Sequence, residues 1–137
     1  MNNKKMAHSY LKGAKSRLES GRRAFDANEF PYVIRQSQEC VELCLKSALR
    51  FVGIEPPKWH DVGFILKRER DRFPEWFKNE VEKLAFISKR MRREREPSMY
   101  GDDDLSLTPD ELYSEYDARV SVEDAEFVYK KCEELMK

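Results

Sequence analysis

Glycine and proline are scarce in this chain, with five Gly and six Pro in 137 residues. That excludes a low-complexity or linker-like polymer. With abundant Glu, Lys, Arg, Leu and Ala, it favours long helices. Cysteine is nearly absent too: Cys40, Cys44 and Cys132 are the whole set. An odd number in a chain without a signal peptide reads as free thiols in a reducing cytoplasm. The opening Met1–Met6 is polar and basic, and no apolar stretch follows it, so no signal peptide is read there. No apolar run approaches the roughly 20 residues of a membrane-spanning helix. The expected location is cytoplasmic, with no membrane partner. Gly-rich phosphate loops, GxSxG and HExxH are all missing.

Charge and apolar content are plentiful. Charged residues make up 38% and aromatic residues 12%, which fits a folded chain rather than a disordered one. The length suits one domain over residues 1–137 with a single core. Heavy use of both charge signs fits a thermophilic source. The net charge of zero hides an asymmetry. Residues 1–95 carry 22 Lys and Arg against 13 Asp and Glu, whereas residues 96–137 carry 4 against 13. The boundary falls inside Ser88–Asp104, SKRMRREREPSMYGDDD, where a dense cationic run meets Tyr100-Gly101 and three consecutive Asp.

Periodicity predicts four main helices. The first runs from about Lys4 to Asp26, with Met6, Tyr10, Ala14, Leu18 and Phe25 as its stripe. The second runs from Pro31 to Val52 and is apolar over more than one face, which places it at the centre of a bundle or against a partner. Gly53 is its expected C′ residue, and Pro56-Pro57 prevents continuation. Asp61 is expected to cap a short helix over 61–69. A third main helix is predicted from about Pro74 to Arg95, ended by Pro97, with Phe77, Val81, Leu84 and Ile87 as its stripe. Thr108-Pro109-Asp110-Glu111 predicts one helical turn. The last helix is predicted over about Ser121–Met136, with Ser121 and Asp124 as a capping box. The fold class is therefore all-α, an antiparallel up-and-down bundle of four main helices plus short ones.

Several constellations bear on chemistry. Gln38, Glu42 and Lys46 share one helical ridge. The structural reading is a solvated stripe with a Glu42–Lys46 pair worth about 0.3–0.5 kcal/mol. Cys40 and Cys44 also share a face, but without a Cys-x-x-Cys pair or a nearby His they read as buried core thiols, with no metal or cofactor. His60-Asp61 offers a base, a ligand or a capping pair, and capping by Asp61 is the simpler role. Lys89–Glu96 holds five cations and two anions. It either complements a helix C-terminus or contacts phosphate through arginine forks. Asp102–Asp104 opposes a plain nucleic-acid patch by repelling phosphate.

Residues 37–62, SQECVELCLKSALRFVGIEPPKWHDV, resemble the signature helix and loop of HEPN domains. That pattern runs A-Q-Q-A-x-E-K-x-L-K-A, an apolar stretch, G-I-x-P-P and H-D-L. Gln38, Glu42, Leu45, Lys46, Gly53, Pro56, Pro57, His60 and Asp61 match it, while Glu39 and Leu43 depart from it. ISKRMRREREPSMYGDDD resembles I-S-x-x-L-R-K-E-R-E-x-S-x-Y-G-D of an archaeal-type branch. The resemblance implies an up-and-down helical bundle that homodimerises. It also implies a frequent minimal nucleotidyltransferase partner and a place in toxin–antitoxin or RNA-processing systems. Catalytic members are metal-independent ribonucleases with an Arg-x(4–6)-His motif. Here the only histidines are His8 and His60, and neither follows an Arg at that spacing. Tyr100 stands at that spacing after Arg95 and Arg93. A tyrosine, with an ordinary pKa near ~10, is a poor general base at neutral pH. The resemblance also makes Tyr100 an acceptor for nucleotide attached by such a partner.

Three functions remain open. The leading one is a non-catalytic HEPN module in which Arg90, Arg92, Arg93, Arg95 and Tyr100, with His60 and Asp61, bind nucleotide, RNA or a partner protein. The second is a ribonuclease with a divergent site, using Arg95 for phosphate and Tyr100 or His60 for proton transfer. The third is a dimeric scaffold in which the basic run and acidic tail pair within or between chains.

Overall fold

The computed structural model describes residues 3–56, 58 and 61–137. His60 and Pro57 therefore lie outside the described residues. The chain is all-α. Its long helices are α1 (Asn3–Asp26), α2 (Phe30–Phe51) and α8 (Glu115–Leu135). Between α2 and α8 run α3 (Val62–Arg68), a 3-10 turn (Arg70–Arg72), α4 (Glu75–Lys78), α5 (Val81–Arg93), α6 (Pro97–Tyr100) and α7 (Pro109–Leu112).

Helix α2 is the central element. It packs most extensively on α1 and then on α8, and also touches α3, α5, α6 and α7. This is the outcome its wide apolar circumference requires. Asn28, with φ +60°, turns the chain between α1 and α2. The other end of α2 closes as a Schellman motif. Gly53 N–H donates to Arg50 O at 3.0 Å and Ile54 N–H to Leu49 O at 2.9 Å. Gly53 takes the left-handed φ of +86° that this C′ position needs. Leu45, Leu49, Leu66, Phe77, Leu84 and Val128 are fully buried in one continuous core. Cys40, Cys44 and Cys132 are buried there as free thiols. Burial, and then the neighbouring Cys132 and Cys40, push the Cys44 thiol well above its ordinary range.

The structure departs from the sequence reading in three places. The expected helix from Pro74 to Arg95 is two helices. At Glu80 the ladder shortens to a bond from its N–H to Phe77 O (2.9 Å), and α5 starts afresh at Val81. The buried stripe of Phe77, Val81, Leu84 and Ile87 survives this step.

Second, Pro97 does not simply end α5. Proline has no N–H for the carbonyl four residues back and its ring crowds that carbonyl, so regular helix stops at Arg93. Pro97 then occupies the first turn of α6, where its missing donor costs nothing.

Third, the last helix begins at Glu115, six residues before Ser121. Its N-cap is Ser114, whose Oγ accepts from Asp117 N–H at 3.3 Å while the Asp117 carboxylate accepts from Ser114 N–H at 2.9 Å. Ala118, fully buried, anchors this polar first turn. Ser121 is buried in mid-helix, and Asp124 is occupied elsewhere, as described below. The predicted turn at Thr108–Glu111 forms as α7, with a complete capping box. Among the described residues no helix is long and apolar enough to cross a membrane.

Candidate functional site

The end of α5, the whole of α6 and the loop after it enclose a cleft of about 740 Å³. Arg92, Arg93 and Arg95 come from the end of α5 and the turn that follows it. Tyr100 comes from α6, and Asp102, Asp103 and Asp104 come from the loop. The break forced by Pro97 lets the chain reverse over these few residues. One short stretch thus supplies both a cationic wall and an anionic wall.

Gly101 fixes the reversal. Its backbone, φ 79° and ψ −154°, lies in a region that only glycine occupies readily. A Cβ at this position would stand 2.2 Å from Leu107 O. That carbonyl accepts from Asp102 N–H at 2.9 Å, and Leu107 N–H donates back to Asp102 O at 3.0 Å. The Asp102 carboxylate is used inside the loop, accepting from Leu105 N–H at 3.1 Å. Asp103 and Asp104 are exposed at the tip of this closed loop.

Arg93 and Arg95 are exposed, and neither forms an ion pair within 4.0 Å among the described residues. Tyr100 is 69% exposed beside them. Arg92 is half-buried on the same wall. The guanidinium groups of Arg93 and Arg95, outside any ion pair and next to an aromatic face, can grip phosphate oxygens and stack a base. Among the described residues, no histidine lines the cleft.

Arg90 is placed differently. Its guanidinium donates to Asp124 of α8 at 2.6 Å and to Glu94 at 3.1 Å, so it ties α5 to α8 rather than lining the cleft. Burial raises the Glu94 carboxyl above its ordinary range despite the opposing pull of Arg90, and Asp117 adds to the rise. Tyr113, half-buried against the same group, is pushed up to about 12 by burial and then by Glu94 and Asp117. This polar joint ties the end of α5 to α8. It also joins the basic and acidic halves of the sequence within one chain, as Arg22 and Glu126 do at 3.3 Å. Sequence spacing gave no hint of Tyr113, because its neighbours Glu94 and Asp117 lie 19 residues before it and 4 after it.

Of the other expected site residues, His60 lies outside the described residues, and Asp61, Gln38, Glu42 and Lys46 do not line the cleft. Asp61 caps α3, its Oδ1 accepting from Gly63 N–H at 3.0 Å. It lies instead in a second hollow, lined by Phe64 and Phe86, both exposed, and by Lys67 and Lys89. Gln38 is buried, at 4% exposure, so the ridge it was expected to share is not a solvated stripe along its whole length. Glu42 and Lys46 do pair, at 3.9 Å, both partly covered. His8 is exposed on α1, edge-on to Phe51 at 6.3 Å between ring centroids.

The family model for the HEPN domain matches residues 7–135. The fold is similar to the crystal structure of ST0689, described as an archaeal HEPN homologue, with a TM-score of 0.68 and 24% identity over 96% of this chain and 98% of that one. It is similarly close to the crystal structure of TT1696 from Thermus thermophilus, with a TM-score of 0.69 and 18% identity over 98% of each chain. No curated protein matches.

Proposed function

The chain belongs to the HEPN domain family, and on that premise we propose that it is a non-catalytic HEPN module, one unit over residues 1–137, that binds a phosphate-bearing ligand (nucleotide or RNA) in the cleft between Arg92 and Asp104. The observation that carries this reading is the pair of exposed guanidinium groups, Arg93 and Arg95, without ion-pair partners beside Tyr100. Cations held without partners at the mouth of a cleft are donors in reserve for an anion. The non-catalytic part rests on the missing Arg-x(4–6)-His motif. The module acts as a homodimer, with a minimal nucleotidyltransferase as its protein partner, in a toxin–antitoxin or RNA-related system.

The test is a nucleotide and RNA titration of the wild type and of the Arg93→Ala plus Arg95→Ala variant. Hydrogen bonds to charged groups contribute about 1.5–3 kcal/mol each, so the variant should lose at least about tenfold in affinity with its fold intact. Equal binding by the two proteins sinks the proposal. Metal-independent cleavage of RNA by the wild type, lost in Tyr100→Phe, would instead establish the ribonuclease reading, which the shared placement of Arg95 and Tyr100 favours.

A further inference from the structure

The cleft carries more anionic than cationic side chains: Glu96 and Asp102–Asp104 line it together with Arg92, Arg93 and Arg95. A surface that simply collected polyanions would not be built this way. Asp103 and Asp104, like Arg93 and Arg95, form no ion pair within 4.0 Å among the described residues. These four opposite charges line one hollow and form no ion pair with one another. The acidic wall is held in place as well. Gly101, the paired bonds between Asp102 and Leu107, and the Asp102 carboxylate close the loop, so Asp103 and Asp104 cannot easily swing away from an incoming ligand.

We infer that Asp103 and Asp104 are specificity-determining residues that restrict this cleft to a single nucleotide and reject a continuous strand. The inference rests on the phosphate-binding reading above and narrows its ligand class. A mononucleotide places its one charged end on the arginines and its base on Tyr100. That leaves the ribose hydroxyls or the base amino group, all hydrogen-bond donors, for the carboxylates. A strand cannot arrange itself so. Seating one phosphate on Arg93 and Arg95 brings the neighbouring phosphates of a strand into a cleft that Asp103 and Asp104 also line. Like charges set face to face are a standard means of discriminating against a competing ligand. At low ionic strength this repulsion reaches across a cleft of these dimensions, because the screening length is about 10 Å at 0.1 M salt.

The experiment titrates adenosine monophosphate and an eight-nucleotide oligoadenylate into the wild type and the Asp103→Asn plus Asp104→Asn variant, in 50–100 mM salt. Both aspartates are exposed and neither side chain supports the loop, so the variant should fold. The wild type is expected to bind the mononucleotide at least about tenfold more tightly than the oligomer, and the variant to raise oligomer affinity about tenfold with a much smaller change for the mononucleotide. An oligomer that binds the wild type as tightly as the mononucleotide overturns the inference and leaves the phosphate-binding reading standing. So does a variant with an unchanged affinity ratio. If neither ligand binds the wild type, both fall together.

Discussion

Replacing Phe77 with alanine should lower the unfolding free energy by about 3–5 kcal/mol. Phe77 is fully buried, and its ring stacks on Phe73 at 4.6 Å between centroids and meets Trp76 edge-on at 5.7 Å. It sits on α4, a helix of four residues. So short a helix has almost no stability of its own and exists because its apolar side chain is packed. Removing the ring leaves a cavity that Leu and Val neighbours fill only in part. A domain of this size has about 5–15 kcal/mol to lose, so the change consumes a large share of it. Urea unfolding measures it directly: the midpoint should fall sharply while the slope stays near the wild-type value. A loss below about 1 kcal/mol would mean that the α4–α5 region is not part of the main core.

Gly101→Ala should be the most damaging single change near the cleft. Alanine at φ 79° and ψ −154° carries conformational strain of about 1–3 kcal/mol. The new Cβ also collides with backbone at Leu107 O rather than with a yielding side chain. The chain can relieve this only by opening the loop and giving up the paired bonds between Asp102 and Leu107. Amide exchange at those two residues should accelerate more than elsewhere, and the cleft should lose its acidic wall. Global stability should fall by about 1–3 kcal/mol, or less if only the loop opens. Unchanged protection of both amides would show that the reversal is not held by Gly101.

The two largest features of the fold were legible in sequence because they rest on side-chain periodicity. Helix α2 is apolar round most of its circumference and proves central. The stripe from Phe77 to Ile87 is buried although the helix carrying it is broken. Where the reading went wrong, polar capping decided the outcome. The last helix was expected from about Ser121, yet the Ser114–Asp117 box starts it at Glu115 and buried Ala118 secures that turn. Pro97 was correctly seen as a breaker. Its effect appears four residues upstream, at the carbonyl it cannot satisfy.

The site was legible only in outline. Ser88–Asp104 stood out as the charge boundary, and its Arg92, Arg93, Arg95 and Asp102–Asp104 line one cleft. Their sorting into roles was not visible. Arg90 is bound to Asp124, 34 residues away, through contacts that no local pattern encodes. Gly101 could be seen as a glycine but not as the residue whose missing Cβ admits Leu107. Asp61 was readable as a cap and is one.

The central claim is that the functional surface of this HEPN domain is the cleft between Arg92 and Asp104. Mapping of amide and side-chain resonances during titration with adenosine monophosphate tests it most directly. The largest shifts should fall on Arg93, Arg95, Tyr100 and the Asp103–Asp104 loop, saturating with a single affinity. Shifts centred instead on the Phe64 and Phe86 hollow, or no saturable shift at the arginines, would contradict it.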